Sequence, residues 1–185
     1  LYMGRLIETK GVSIAVETTK AIGAKLKIVG QGNPEPWLRG NPHVEYVPPV
    51  GVEGRKELMS KAKAFFAPTR YVEPFGGVAV EAQLSGTPVI STDWGVFPET
   101  VIQGVTGYRC RTFDHFVWAA KNIDKIDPKT CRQWAATNFS TDRVVRMYEE
   151  WFQMILDIDK GGWYERHEDR TNLDYCRRWL PSQAQ

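Results

Sequence analysis

Two carboxylates, Glu73 and Glu81, stand eight positions apart in the stretch Glu73-Pro74-Phe75-Gly76-Gly77-Val78-Ala79-Val80-Glu81. Before it, Ala64-Phe65-Phe66-Ala67-Pro68-Thr69 reads as a short buried strand that stops at Pro68. After it, Val78 to Leu84 reads as a helix that Gly86 stops. Gly76 and Gly77 therefore fall at a helix N-terminus, where free backbone N–H groups and the helix dipole favour an anion. With the helix starting at Gly77, Glu81 lies one turn further along the same face. An anion cradle beside a carboxylate, with Glu73 on the loop above, suits a phosphate joined to a polyhydroxyl group, as in a nucleotide sugar. Arg5 and Lys10, flanked by Gly4 and Gly11, are two cations on the loop after the first strand, suited to charge that develops on a leaving phosphate. Each residue also has a purely structural reading. Arg5 and Lys10 fit a solvated loop, the glycines a plain turn, Glu81 an exposed helix position and Glu73 a carboxylate capping the following helix.

The elements that must position these groups alternate. Strands are expected at Leu1–Gly4, Lys25–Val29, Val44–Val47, Phe65–Phe66, Pro88–Ser91 and Gly107–Cys110. Val12 to Ile22 carries Val12, Ala15, Val16 and Thr19 at helical spacing. Glu53 to Lys63 sets Leu58, Met59 and Ala62 on one face, and Phe97–Ile102 is a short helix. The polar run Arg5 to Gly11 and the Pro- and Gly-rich stretch from Gly30 to Pro42 read as loops. From Thr112 on, Phe113–Ile123, Pro128–Asn138 and Thr141–Ile158 read as three helices, the last capped by Ser140 or Thr141. This pattern predicts a doubly wound, Rossmann-like α/β parallel sheet with a helical C-terminal extension. Ligands on such sheets lie beyond the carboxyl ends of the strands.

With 42% hydrophobic and 25% charged residues and a net charge of +2 over 185 residues, the chain has the make-up of an ordinary globular domain. Its charge is far from a nucleic-acid-binding signature. Cys110, Cys131 and Cys176 are odd in number and widely spaced, so free thiols in a reducing compartment are expected. His43, His115 and His167 have no metal-ligand spacing. Gly30-Gln31-Gly32-Asn33-Pro34-Glu35 begins like a dinucleotide fingerprint but lacks the third glycine, and Pro34 breaks the helix start. The tail from Trp163 mixes Arg170, Arg177, Arg178 and Trp179 with Glu165, Glu168, Asp169 and Asp174. That composition predicts packing against a folded domain rather than nucleic-acid binding. No apolar run approaches a membrane span, and the abrupt opening Leu1-Tyr2-Met3-Gly4 reads as a piece of a longer protein.

Gly4-Arg5-Leu6, Lys10-Gly11, Ile28-Val29-Gly30-x-Gly32, the Glu73–Glu81 segment, Gly86-Thr87-Pro88-Val89, Pro98-Glu99 and Thr106-Gly107 follow one another in the chain. In that order they resemble the C-terminal, donor-binding domain of the retaining GT-B glycosyltransferases of family 4 (glycosyl transferases group 1). The resemblance covers residues 1–155, giving a donor-binding domain over 1–158 and a tail over 159–185. It implies that Arg5 and Lys10 contact the diphosphate and that Glu81 binds the ribose. Glu73 would serve the donor sugar or its oxocarbenium-like transition state, and Phe75, Gly76, Gly77 and Val78 would line the phosphates. Val50 matches a main-chain contact to the base, and Arg55 lies near the nucleotide. The implied donor is a nucleoside diphosphate sugar, UDP before GDP, with no metal or other cofactor and a sugar, lipid or glycan acceptor. The acceptor site would lie on a preceding domain that these residues lack, in a cytoplasmic enzyme peripheral to the membrane through that domain. A nucleotide-sugar binding module without activity, and a GT-B epimerase or phosphorylase, are the alternatives. The family's paired-glycine turn before Pro-Glu reads Trp94-Gly95-Val96-Phe97-Pro98-Glu99 here, which sets two bulky residues near the donor sugar or acceptor mouth.

Overall fold

The structure, a computed structural model, describes residues 1–161, with side chains as far as residue 157. Its strands are β1 (Tyr2–Met3), β2 (Leu26–Val29), β3 (Val44–Val47), β4 (Phe65–Ala67), β5 (Val89–Thr92) and β6 (Gly107–Cys110). Its helices are α1 (Val12–Ala21), α2 (Glu35–Leu38), α3 (Val52–Ser60), α4 (Gly77–Leu84), α5 (Phe97–Thr100), α6 (Phe113–Asn122), α7 (Pro128–Phe139) and α8 (Thr141–Gly161). All six strands join one sheet in the order β3-β2-β1-β4-β5-β6, and every pairing is parallel. The order reverses between β1 and β4, so the crevice for a ligand opens beyond the ends of those two strands.

Period-2 alternation distributes the apolar side chains to two cores. Phe66 and Ile90 face the side packed by Val12, Ala15 and Val16 of α1 and by Phe116 and Ala119 of α6. Their chain neighbours Phe65 and Val89 face the side packed by Met59 of α3 and by Ala79 and Ala82 of α4. Burial on both faces is why these strands read as continuous apolar runs. Truncating Phe65, 1% exposed, to alanine would cost about 3–5 kcal/mol.

Several boundaries differ from expectation. The Gly30–Pro42 loop contains the short helix α2, because the Asn33 side chain accepts from the Glu35 amide at 3.1 Å and Pro34 pre-sets the turn. The Arg5–Gly11 loop contains a 3-10 turn at Glu8–Lys10. Helix α3 stops at Ser60 and buries only Met59, since the chain turns into β4 within five residues. Helix α7 starts at Pro128 as expected, where Asp127 accepts from the amides of Lys129 and Thr130 at 3.2 and 3.0 Å.

The chain divides into two compact units, residues 1–135, which hold the sheet, and a unit that begins at Ala136. Within the second, α8 is amphipathic and exposes Val145, Tyr148, Phe152 and Leu156. Cys110 and Cys131 are buried free thiols, and burial pushes both up to about 12. No described helix is long and apolar enough to cross a membrane. Cys176, His167 and the tail from residue 162 lie outside the described residues.

Candidate active site

The loop from β1 to α1 is held by the turn after β2. The amide of Gly4 donates to the Val29 carbonyl at 2.9 Å, and that of Leu6 to the Gln31 carbonyl at 2.7 Å. Tyr2 Oη donates to the carbonyl of Arg5 at 2.9 Å. A Cβ on Gly30 would lie 1.9 Å from the Gly4 carbonyl oxygen, so this approach requires glycine. The Gly30-x-Gly32 pair thus serves to seat the Arg5 loop. Between buried Tyr2 and Leu6, the Arg5 side chain is exposed, and it makes no ion pair with a described residue.

The loop from β4 to α4 is tied to the first. The amide of Arg70 donates to the Thr9 carbonyl at 2.8 Å, and its guanidinium pairs with Glu8 at 2.7 Å. Lys10 Nζ donates to Glu73 Oε2 at 2.8 Å and to the Tyr71 hydroxyl. Tyr71 Oη donates to the same Glu73 oxygen at 2.6 Å. Both charged side chains are partly buried, at 21% exposure for Lys10 and 11% for Glu73. Burial alone pushes the Glu73 carboxyl up, but hydrogen bonds from Lys10 and Tyr71, the Lys10 charge and the Gly76 amide outweigh it and hold the group below its usual range. Burial pulls Lys10 down, and the same two partners more than reverse that, so its ammonium lies above its usual range. The Tyr71 phenol is raised by burial and by its bond to Glu73.

The turn after β5 completes the clamp. Trp94 Nε1 donates to the Tyr71 carbonyl at 3.2 Å, and the Val96 amide donates to the Glu73 carbonyl at 2.9 Å. Val96 and Phe97 are 8% and 1% exposed and belong to the core under α4. Sequence reading set two bulky residues of this turn near the donor sugar or acceptor mouth. Val96 and Phe97 both pack under α4 against Ala79 and Ala82, and Phe97 also lines the cleft beside Gly76. Trp94, from the same turn, is exposed, as are Val72 and Phe75 of the β4–α4 loop.

A cleft of about 100 Å³ lies beyond β1 and β4, lined by Gly4, Lys10, Thr69, Glu73, Gly76 and Gly77, with Val78 at its wall. Gly76 caps α4 in the left-handed conformation, φ 65°. Glu81 stands outside this cleft lining, half-buried, with its Oε2 3.5 Å from Arg55 Nη1. Val50 is half-buried two residues before α3. The structure thus brings together Lys10, Glu73, Gly76, Gly77 and Val78, and separately Arg55 with Glu81. Among the described residues no group of three or more His, Cys, Asp and Glu is assembled as a metal site. His43 bonds the Val16 carbonyl at 3.2 Å, and His115 is exposed on α6. Sequence reasoning missed Tyr71, Thr69 and Trp94. Their only signal was nearness to Glu73 and to the Pro-Glu turn, which any loop residue shares.

The sequence model of the family described as Glycosyl transferases group 1 matches residues 1–125. The chain belongs to this family. The group 1 glycosyltransferase chain is 36% identical over 145 residues to the glycogen synthase of Mycobacterium tuberculosis, covering 72% of the chain and 35% of that protein. Among solved structures it is similar to AviGT4, a glycosyltransferase involved in avilamycin A biosynthesis, with TM-score 0.75 and 26% identity over 84% of the chain and 51% of that protein. It shares the fold of Anabaena HepE, solved with UDP-glucose, at TM-score 0.68 and 18% identity over 83% of the chain and 48% of that protein. The group 1 glycosyltransferase chain therefore spans about a third of the length of the curated relative and half that of the solved ones.

Proposed function

We propose that the chain is the donor-binding half of a retaining GT-B glycosyltransferase of family 4, which moves a sugar from a nucleoside diphosphate to an acceptor hydroxyl. The observation that carries this reading is the convergence of Lys10, Glu73 and the N-terminus of α4 on one cleft at the sheet's switch point. Arg5, exposed on the loop that supplies Lys10, adds a second cation in this reading. In this reading Arg5, Lys10 and the amides of Gly76 and Gly77 take the negative charge that builds on the diphosphate as the sugar C1–O bond breaks. Glu73 faces the sugar and the positive charge that develops on its ring. Glu81, steered by Arg55, takes the ribose hydroxyls, and the main chain at Val50 the base. Phe75 and Val78 line the donor. These cations fill the charge role of a divalent metal, so none is required.

UDP is the favoured nucleotide, ahead of GDP, and the name of the UDP-glucose-bound relative of the same fold supports that order. The acceptor, a sugar, lipid or glycan, would be held by a preceding domain in a cytoplasmic enzyme. Without that second wall the orientation contribution, roughly 7–11 kcal/mol, is forfeited, so these residues alone would bind donor and transfer almost nothing.

Calorimetry with UDP, GDP and ADP tests the reading. Binding to at least one, weakened in Arg5→Ala by about 1–3 kcal/mol, is the expected result. No heat with any of them at millimolar ligand would overturn it. A coupled assay for nucleotide release, with and without acceptors, separates the donor half from a complete enzyme: acceptor-dependent turnover equal to that of the full-length gene product would refute the half-enzyme reading.

A further inference from the structure

Thr69 lies in the cleft and is absent from every role assigned so far. It is 4% exposed, and its Oγ1 has no hydrogen-bond partner. A buried hydroxyl carries a desolvation penalty that a valine of the same shape would not, so an unpaired one calls for a partner from outside the fold. Thr18, Ser91 and Thr92 also bury unpaired hydroxyls, but none of them lines this cleft, whereas Thr69 does. Its backbone is fixed on the side of the cations. Arg70, the next residue, is bonded through its amide to Thr9 and through its guanidinium to Glu8, one and two positions from Lys10.

The groups that share this lining with Thr69 define the ligand chemistry. Lys10 offers an ammonium, Gly76 and Gly77 stand at the N-terminus of the eight-residue helix α4, and Glu73, the carboxylate in this lining, is already paired with Lys10 at 2.8 Å. Ammonium, helix-terminal amides and a hydroxyl are all donors, and a phosphoryl group offers several acceptor oxygens to be shared among such donors. A sugar hydroxyl would satisfy Thr69 as well, but it gains nothing from the cation and the dipole.

We propose that Thr69 is a phosphate-binding residue, whose hydroxyl donates to an oxygen of the diphosphate held by Lys10 and the N-terminus of α4. The proposal rests on the donor-site reading above and adds a ligand that this reading lacks. The test is UDP and UDP-glucose binding by calorimetry to the wild type, Thr69→Val, Thr69→Ala and Thr69→Ser, with a thermal melt of each. Thr69→Val should melt no lower than the wild type, because it removes an unpaired buried hydroxyl and keeps the shape. It should weaken UDP roughly 10- to 100-fold, the range of a hydrogen bond to a charged group. Thr69→Ala should weaken UDP similarly, and it carries the test should the valine variant not fold. Thr69→Ser should stay within a few-fold of the wild type. UDP affinity unchanged in Thr69→Val and Thr69→Ala, while Arg5→Ala still weakens it, would overturn the assignment and leave the donor site standing. So would a loss confined to UDP-glucose, or a serine variant as weak as the valine one. A wild type that binds no nucleoside diphosphate overturns both readings together.

Discussion

The ammonium of Lys10 lies 2.8 Å from the carboxylate of Glu73, and the two residues come from loops 63 positions apart in sequence. The same Glu73 oxygen accepts from Tyr71 at 2.6 Å, and the carboxylate takes a further bond from the Gly76 amide. Glu73 therefore sits between the cation and the helix terminus that would otherwise serve an external anion.

An arriving diphosphate competes with that carboxylate for Lys10 and for the α4 amides. Glu73→Gln keeps the shape and removes the competing charge, so UDP should bind more tightly, by roughly 3- to 10-fold, about the net value of one hydrogen bond. Intact UDP-glucose should lose this gain, because the carboxylate is the group that answers the sugar. Calorimetry with both ligands gives the comparison. A weaker UDP complex in Glu73→Gln would show that the carboxylate supports the phosphate contacts instead of occupying them.

Because the Glu73 pKa lies below its ordinary value of 4.5 in the folded chain, its pairing stabilises the fold above that value and is lost as pH falls through the lowered pKa. The stability difference between the wild type and Glu73→Gln should therefore be present at neutral pH and vanish in the acid range below 4.5. Lys10 runs the other way. Its pKa is raised above 10.5, so its contribution is complete below that value and fades only as pH climbs past the raised one. Tyr71→Phe removes one donor to Glu73 and should move the acid edge upward. Urea melts of the three proteins from acid to neutral pH show whether the edge moves, and an edge that stays fixed in Tyr71→Phe would remove the phenol from the account.

Gly95 takes a positive φ of 64°, and a Cβ there would stand 2.7 Å from the Glu73 nitrogen and 2.8 Å from its carbonyl oxygen. Gly95→Ala should cost at least about 1–3 kcal/mol and displace the Glu73 backbone. A lowered melting temperature together with weaker UDP-glucose binding is the expected outcome. A variant as stable as the wild type would mean that the turn yields without disturbing Glu73.

Glu81 and Arg55 form a half-exposed pair at 3.5 Å, and such pairs contribute only about 0–1 kcal/mol to stability. Glu81→Gln should therefore leave the melting temperature nearly unchanged while weakening UDP about 10-fold, through lost acceptance of the ribose hydroxyls. Arg55→Ala should weaken UDP less than Glu81→Gln does. Equal UDP affinity in the wild type and Glu81→Gln would place the ribose elsewhere.

Much of the framework was legible along the chain. The runs Phe65–Ala67 and Val89–Thr92 announce strands buried on both faces, because only such strands need no charged alternation. Gly76 and Gly77 mark the start of α4, since the cap takes a left-handed φ that disfavours a side chain. Short helices were less legible. Helix α2 is set by one Asn33 side-chain bond and a proline, too little pattern to rise above a Pro- and Gly-rich loop.

Residue types and local spacing determined that this chain alternates strand and helix, that Gly76 and Gly77 open a helix and that Glu81 falls one turn along it. Those features depend on backbone sterics and helical period, both local in the chain. Tertiary structure alone decided that Glu73 pairs with Lys10, that Tyr71 bridges them, that Val96 and Phe97 pack under α4 and that the Thr69 hydroxyl is buried and unpaired. The Lys10–Glu73–Tyr71 cluster joins loops carried by different strands. The crossing of the sheet at β1 and β4 creates those contacts, and no spacing within one loop encodes them.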